Sequence, residues 1–248
     1  LSALHYCHPN YATYLDSKKT LKVDNIDDIL KLIGEEKKSV FDKEYIEKIY
    51  ISYMSNGNAY EVNLGEFKNN IKDKSVLVIS PGKSIENEKN KVIEKIKDKN
   101  IVSISVNFIY HTIPTDYIFV SNLRRYKQML EYDNGSNNKL IGTSNIPQKG
   151  LYIRTQYKTL LNDFEGVEDN ATLMLIQYLI NLGVKKIYIA GMDGYSTEIE
   201  ENYVENKMNI FIKKENIDML NRGISCVLKK FNEIVSIEYI TKHKYIEF

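Results

Sequence analysis

The chain of 248 residues has only two cysteines, four prolines and no tryptophan, and its charges nearly cancel. Cys7 and Cys226 are too few for a disulfide framework, which favours free thiols in a reducing cytoplasm. The formal net charge of +1 gives no general attraction to nucleic acid or to an anionic membrane. No apolar run reaches the roughly 20 residues of a membrane-spanning helix. We therefore expect a cytoplasmic protein with no nucleic-acid partner and no membrane span.

Several motifs that would assign a chemistry are also missing from the sequence. There is no Gly-x-Gly-x-x-Gly dinucleotide motif, and no Ser-His-Asp or Cys-His arrangement is suggested. The Gly-Lys-Ser at 82–84 matches the end of a Walker A loop, but Leu77 stands where that loop needs its first glycine. The His5 to His8 run supplies too few ligands for a closed zinc site, so we expect no metal site here.

One stretch organises the chain, from Asp169 to Ser196. Its first half is apolar on nearly all sides and begins at Asp169 or Asn170, either of which can cap a helix. This predicts a buried helix that ends at Gly183. The run from Val184 to Ala190 predicts a buried strand, and a glycine-flanked loop from Gly191 to Tyr195 follows it. Because ligands of open α/β sheets bind at the carboxyl ends of strands, we expect chemistry at this loop.

Strand and helix patterns alternate from Lys74 onward. We predict strands over residues 75–80, 101–106, 115–120, 140–143, 151–155, 184–190 and 235–241, and helices over 87–97, 171–182 and 209–231. This order predicts an α/β fold, a doubly wound and mostly parallel sheet with helices on both faces. Residues 1 to 60 show helix patterns and no strand pattern. We expect a small helical segment there, ahead of a domain over residues 74–248.

The turn after the first predicted strand is a candidate phosphate site. Ser80, Gly82 and Ser84 belong to a Ser-Pro-Gly-Lys-Ser turn that leads into a helix. The backbone N–H groups of such a turn can point at a phosphate bound at the helix N-terminus. The alternative is an ordinary Pro-Gly turn with a solvated Lys83.

Three consecutive strand predictions are followed by asparagine, at Asn107, Asn122 and Asn145. A side-chain amide both donates and accepts hydrogen bonds, which suits ribose, the edge of a base or the hydroxyls of a sugar. Asparagine is also a common turn residue. We expect at least two of the three to line one polar crevice.

The loop after the strand predicted over 184–190 and the residues near it add further candidates. Asp193 can accept from a ribose or sugar hydroxyl, or it can bond its own backbone in an Asx turn. The phenols of Tyr195 and Tyr203 can donate to a phosphate or simply pack. The Arg124–Arg125 pair after the third strand can clamp an anion or lie on the surface.

The order of these motifs carries a resemblance. It runs from a strand through a Gly-Pro-Ser-like turn at 80–85 to a strand ending at Asn107 and another ending in Ser-Asn. A buried helix then leads into Leu-Gly-x-Lys-x-Ile-Tyr-x-x-Gly-x-Asp-x-Tyr at 182–195. Residues 75 to about 196 thereby resemble the bacterial sialyltransferases with a single Rossmann-like domain, and the related pterin-pyrophosphokinase-like proteins.

That resemblance implies a Rossmann-like domain that holds a cytidine nucleotide-sugar and transfers its sugar with inversion and without a metal. Ser84, Asn107 and Tyr195 would then contact the nucleotide. The sialyltransferases use a histidine as general base, and the residues after Tyr203 contain none where we align it. Glu205 and Glu215 are the candidates to replace it, and Asp193 is a further acidic candidate for catalysis.

Residues 1 to about 55 resemble a different family. The run from His5 to Leu15, the following Lys-Lys-Thr-Leu and two helix patterns are similar to the tail behind the barrel of pyruvate carboxyltransferase-like (hydroxy-oxoacid) aldolases. Since the sequence starts at Leu1 rather than Met, we expect a fragment of a longer chain with that barrel upstream. A divalent metal would belong to the barrel. In the fragment we expect no cofactor, with CMP or another nucleotide or nucleotide-sugar as substrate.

Three functions remain open at this point. The first is a nucleotide-sugar-binding, glycosyltransferase-like domain fused behind the aldolase. The second is a non-catalytic docking or regulatory module of the aldolase, which predicts a large apolar face on residues 1–60. The third is Mg²⁺-dependent, pyrophosphokinase-like phosphoryl transfer through acids such as Asp116 and Asp193. The expected partners are the nucleotide and the barrel, and a homo-oligomer is left open.

Overall fold

The computed structural model describes residues 63–132, 139–147, 150–205, 208 and 214–245. The helical segment predicted over residues 1–60 lies outside this part of the chain. The described helices are α1 (Leu64–Ile71), α2 (Ser84–Ile96), α3 (Leu123–Tyr132), α4 (Ala171–Asn181) and α5 (Lys214–Asn232). The described strands are β1 (Ser75–Ile79), β2 (Ile101–Val106), β3 (Tyr117–Val120), β4 (Lys139–Thr143), β5 (Ile153–Thr155), β6 (Lys186–Ala190) and β7 (Ser236–Tyr239).

These strands form one sheet in the order β5-β4-β3-β2-β1-β6-β7, and each neighbouring pair is parallel. From β1 to β5 each strand is added on the same side of the previous one. The chain then crosses back, and β6 pairs with the other side of β1 from β2. Val76 lies opposite Ile187 in this pairing, and Ile79 lies opposite Ala190. The reversal of direction places a topological switch point between β1 and β6.

Helices cover both faces of the sheet. On one face α1, α4 and α5 pack onto the strands through side chains such as Phe67, Leu175 and Leu228. On the other face α2 contributes Val92 and α3 contributes Leu123. With both faces covered, the central strands need nearly continuous apolar runs, and all six residues of β2 are buried. The prediction of a doubly wound, parallel α/β sheet is confirmed.

The central stretch of the sequence folds as predicted. Asn170 Oδ1 accepts hydrogen bonds from the N–H groups of Thr172 (3.1 Å) and Leu173 (3.2 Å), so α4 starts with a capped N-terminus. Gly183 ends the helix with φ at +83°, a conformation that favours glycine. The strand β6 is then buried from Ile187 to Ala190. The loop of residues 191–195 is thus positioned by α4, by the turn at Gly183 and by β6.

Other boundaries differ from the sequence-based expectations. The helices α1 and α3 were not predicted at all. α2 begins at Ser84 rather than Asn87, because the carboxylate of Asp193, in the loop after β6, accepts a hydrogen bond from the N–H of Ser84. The helix predicted over 209–231 is described from Lys214 onward. Within the described ranges, no helix has both the length and the apolar character needed to cross a bilayer.

Candidate functional site

The residues singled out in the sequence lie along one edge of the sheet. Because the strands are parallel, their carboxyl ends share this edge. The candidates that follow β1, β2, β3, β4 and β6 there are, in that order, Ser80 with Gly82 and Ser84, Asn107, Asn122, Asn145, and the loop of Gly191, Asp193 and Tyr195. Hydrogen bonds and packing distances divide this edge into two parts with different properties.

The part between β1 and β6, at the switch point, is closed by backbone contacts. The N–H of Gly82 donates to the carbonyl of Gly191 at 2.7 Å, and the N–H of Ser80 donates to the carbonyl of Ala190 at 2.8 Å. A Cβ atom added at Gly82 would lie 2.2 Å from the Gly191 carbonyl oxygen, and one added at Gly191 would lie 2.0 Å from the Ser80 carbonyl oxygen. The two loops therefore touch through glycine, and no ligand group fits between their backbones there.

The N-terminus of α2 is capped by the chain itself. Asp193 Oδ2 accepts from the N–H of Ser84 at 2.7 Å, and Asp193 Oδ1 accepts from the Ser84 hydroxyl at 2.5 Å. Thr241 Oγ1 lies 2.9 Å from that hydroxyl and accepts from the N–H of Gly191 at 2.8 Å. A phosphate at the first amide of α2 would have to displace a carboxylate that is already bonded there.

Burial sets the electrostatics of this cap. Loss of hydration raises the pKa of the Asp193 carboxyl, and the two hydrogen bonds from Ser84 oppose that rise. The nearby Glu88 raises the pKa further, whereas Lys244 lowers it. The net direction is upward, so the ionised carboxylate is less favourable here than in water.

The amides after β2, β3 and β4 connect neighbouring strand ends. Asn107 adopts a left-handed backbone conformation, with φ at +54°, and its Oδ1 accepts from the N–H of Ser121 at 3.3 Å. Asn145 is buried; its Nδ2 donates to the Ser121 carbonyl at 3.0 Å and its Oδ1 accepts from Thr143 Oγ1 at 2.5 Å. Asn122 Oδ1 accepts from the N–H of Arg125 at 3.1 Å in the first turn of α3.

These bonds leave the three amides in different states. Asn145 is 2% exposed and bonded through both amide atoms, so it serves the loop structure. Asn107 and Asn122 are half-buried and use Oδ1, so each keeps an Nδ2 donor for a ligand at this edge. Asn107 and Asn122 thus differ from Asn145 in keeping a side-chain donor that the described loops do not use.

Two phenols lie close together at the same edge, and the charge of Arg125 acts on one of them. The Tyr203 hydroxyl donates a long hydrogen bond of 3.4 Å to the Tyr195 hydroxyl, and the two rings meet edge to face at 6.5 Å between centroids. The charge of Arg125 lowers the pKa of Tyr203, although burial raises the pKa values of both phenols overall. The phenols therefore stay protonated at neutral pH. The Tyr195 proton is not used in its bond with Tyr203.

Arg125 brings positive charge to this group. Burial, together with the like charge of Arg124, lowers the pKa of its guanidinium group. Tyr203 and Glu205 oppose that shift, which shows that both lie near the cation. Its Nη1 donates to Gln128 Oε1 at 2.8 Å, which holds the side chain along α3. Guanidinium and phenol groups both donate hydrogen bonds to anions.

The N-terminus of α4 also lies at this edge. The hydroxyls of Ser80 and Thr172 lie 2.7 Å apart, so the first turn of α4 is joined to the end of β1. The Tyr157 hydroxyl donates to Asp169 Oδ2 at 3.0 Å, and the charge of Asp169 raises the pKa of Tyr195. The predicted cap at Asn170 was the only sequence signal for this corner of the site.

The acidic candidates are spread along the structure. Asp193 is bonded to Ser84 as described, and Glu205 is half-buried near Arg125. Glu215 falls in the first turn of α5, and its side chain lies outside the described part of the structure.

Asp116 and Asp193 do not meet. Asp116 precedes β3 and lies level with Ser103 of β2, from which it accepts two hydrogen bonds of 2.8 Å. By the strand registers this is the level of Tyr188 in β6, five residues before Asp193. The Asp193 carboxylate is bonded to Ser84, beyond the end of β1, and the strands that carry the two acids are roughly 14 Å apart across the sheet. One Mg²⁺ ion with ligands at about 2.1 Å cannot bind both.

The fold and the edge together define an α/β protein with a Rossmann-like, doubly wound parallel sheet and a polar site at the carboxyl ends of its strands. No protein-family model matches the chain, and no curated protein matches it either. In the part of the chain that the structure describes, no three His, Cys, Asp or Glu side chains are grouped so that they could hold a metal ion.

Proposed function

We propose that the domain binds a nucleotide or a nucleotide-sugar and acts as a sialyltransferase-like glycosyltransferase domain. The observation that carries the proposal is the grouping of Arg125, Tyr195 and Tyr203 on the same sheet edge as the amides of Asn107 and Asn122. Phenols and a guanidinium group suit a phosphate, and amides suit a ribose or the edge of a base. Few other ligands need both sets of groups side by side.

The sequence resemblance supports the same proposal. Its most specific motif, residues 182–195, falls on the end of α4, on β6 and on the loop that carries Tyr195. The strand end at Asn107 lies two strands away on the same edge. The residues that the resemblance assigns to the nucleotide are therefore near enough in the sheet to serve one extended ligand.

The phosphate is proposed to lie against Tyr195, Tyr203 and Arg125 rather than at the start of α2. The first amide of α2 is bonded to Asp193, and Gly82 is in contact with Gly191. On this proposal Ser80, Gly82, Ser84 and Gly191 shape the wall of the site without binding the phosphate. The base and ribose then extend along the ends of β2 and β3.

A thermal-shift screen with CMP, CDP, UDP and their sugars tests the binding proposal. A ligand at about 100 times its Kd adds about 2.7 kcal/mol to the free energy of unfolding, which raises Tm by several degrees. We expect Y195F to weaken this shift. The control Y188F makes the same change in β6, five residues before Asp193, and should leave the shift intact. No stabilisation of the wild type by any of these nucleotides at millimolar concentration would overturn the proposal.

Transfer chemistry is tested separately from binding, by measuring release of CMP from CMP-sugars while the sugar passes to water or to the hydroxyl of an added sugar acceptor. Glu205 is the acidic candidate near Arg125, so we expect E205Q to slow release by at least about a hundredfold, the usual contribution of a general base. The exposed Glu200 gives the control E200Q. Binding of CMP without release from any CMP-sugar would contradict a transferase and leave a nucleotide-binding domain.

A further proposal concerns the longer protein. From the resemblance of residues 1 to 55, we propose that the domain is joined to a pyruvate carboxyltransferase-like aldolase barrel upstream, which would bind the divalent metal. The coding sequence before Leu1 tests this directly. An upstream open reading frame without a barrel-length domain would contradict it.

A further inference from the structure

The backbone of Tyr195 is held by a single side chain from α5. Asn221 Oδ1 accepts from the N–H of Tyr195 at 2.8 Å, and Asn221 Nδ2 donates to the carbonyl of Tyr195 at 2.9 Å. Both backbone groups of one loop residue are thus satisfied by one amide, as a neighbouring strand would satisfy them. The two residues are 26 positions apart, so the bond pair fixes the loop to a separate helix.

The same loop is held on its other side by the C-terminal segment. The N–H of Lys244 donates to the carbonyl of Asp193 at 2.8 Å. Between the two attachments lies Gly194, with φ at +92°, where an added Cβ would be 3.2 Å from both Asn221 Oδ1 and Lys244 Cβ. Little room is left for the backbone of Tyr195 to shift or to rotate.

An amide side chain suits this pair of bonds. Asparagine presents one acceptor and one donor in a fixed plane, whereas leucine has neither and aspartate has only acceptors at neutral pH. Asn221 is not among the nucleotide-binding residues that the sequence suggested. Its two bonds with the loop are both made to the backbone of Tyr195.

We infer that Asn221 is a positioning residue, which fixes Tyr195 so that its hydroxyl meets the phosphate of the bound nucleotide. This inference rests on the proposed function. A loop held in its binding conformation before the ligand arrives loses less conformational freedom on binding. The effect of Asn221 is therefore confined to the interaction that Tyr195 makes, the one with the phosphate.

The test compares each nucleoside monophosphate with its nucleoside, using CMP with cytidine and UMP with uridine. Affinities are measured by titration calorimetry for the wild type, N221L, Y195F and the double variant. We expect N221L to lower the ratio of monophosphate to nucleoside affinity by about tenfold, the usual loss for one hydrogen bond to a charged group. Y195F should give a similar loss, and the double variant should lose no more than Y195F alone.

The matched control is Asn232, at the other end of α5. Its Oδ1 accepts from the N–H of Ile237 at 2.9 Å, so N232L also breaks a side-chain bond to the backbone of another element. We expect N232L to lower Tm while leaving the affinity ratio unchanged. If N221L fails to fold, N221D takes its place. Aspartate keeps the acceptor for the Tyr195 N–H and lacks the donor, and the affinity ratio of N221D is compared with that of the wild type in the same way.

The outcomes separate the two proposals. Wild-type binding with an unchanged affinity ratio in N221L or N221D overturns the role of Asn221 and leaves the nucleotide site standing. If the losses in affinity ratio of the two single variants add up in the double variant, the role of Asn221 is also overturned, because Asn221 would then affect phosphate binding independently of Tyr195. Absence of binding of all four ligands to the wild type overturns both.

Discussion

At the scale of single residues, the contact between Gly82 and Gly191 leaves no space for a methyl group. A Cβ at Gly82 would lie 2.2 Å from a carbonyl oxygen, a backbone atom that cannot rotate away. We expect G82A to lower the free energy of unfolding by about 1–3 kcal/mol, as overpacking usually does. Urea denaturation measures it.

The control is G65A in α1, where an added Cβ meets nothing within 4 Å. Alanine is favoured over glycine in a helix by about 1 kcal/mol, so this variant should be stabilised. Equal stability of G82A and the wild type would mean that the β1 and β6 loops separate easily, and the switch point would then be open to a ligand.

The cap formed by Asp193 makes a pH-dependent contribution to stability. Burial raises its pKa in the folded protein above the unfolded value of about 3.9. Between those two values the folded state binds more protons than the unfolded state, so its free energy of unfolding falls as pH rises through this window. An asparagine can accept from the Ser84 N–H without ionising. The stability of D193N relative to the wild type should therefore increase from pH 4 to pH 7.

Urea denaturation of both proteins at the two pH values gives this difference. Ser84, which bonds the carboxylate, and Thr241, which bonds Ser84, do not titrate in this range. The charges of Glu88 and Lys244 also act on Asp193; both residues are present in the two proteins, and the hydrogen bond with Lys91 lowers the pKa of Glu88. If the relative stability of D193N fell between pH 4 and pH 7, the hydrogen bonds from Ser84 would outweigh burial and the pKa of Asp193 would be lowered instead.

At the scale of elements, α4 depends on its cap. Asn170 accepts from two N–H groups of the first turn, so N170A should cost about 1 kcal/mol in the free energy of unfolding. N181A at the other end of α4 is the control. It removes an exposed hydrogen bond with Gln177, which contributes about 0.2–0.5 kcal/mol to the free energy of unfolding. Chemical denaturation compares them. Equal losses would show that packing rather than the cap fixes where α4 begins.

The elements that the sequence predicted are those whose signals are local. α4 has a capping residue, a long apolar run and a glycine stop, and β2 is apolar enough to be buried on both faces. α1 buries only Phe67 and Ile71, and its N-cap residue Asn63 makes no side-chain cap bond. A helix with so narrow an apolar stripe is stabilised mainly by packing on the sheet, which a local pattern does not reveal. α3 was missed although its signal is local, since Asn122 accepts a hydrogen bond from its first turn and Leu123, Tyr126 and Met129 are buried at helical spacing.

At the scale of the whole molecule, the pairing of strands decides what the site contains. The strand ends could be found in the sequence, and the shared edge followed from a parallel sheet. The pairing of β6 with β1 could not be predicted from the sequence, because it depends on contacts between residues about 110 positions apart. The bond between Asp193 and Ser84 exists only through that pairing. It turns a candidate phosphate loop into a capped helix and moves the proposed phosphate toward Tyr195.

Hydrogen exchange with and without CMP tests this placement across the whole sheet. The Ser84 N–H is bonded in the free protein, so its exchange should be slow and should change little on binding. We expect added protection near Asn107, near Asn122 and from Tyr195 to Tyr203, since these segments lie on the open part of the edge. The turns before β1 and β2, residues 72–74 and 97–100, lie at the opposite edge and serve as the internal control. New protection centred on Ser84 would place the phosphate at α2 and contradict the division of the edge into a closed and an open part.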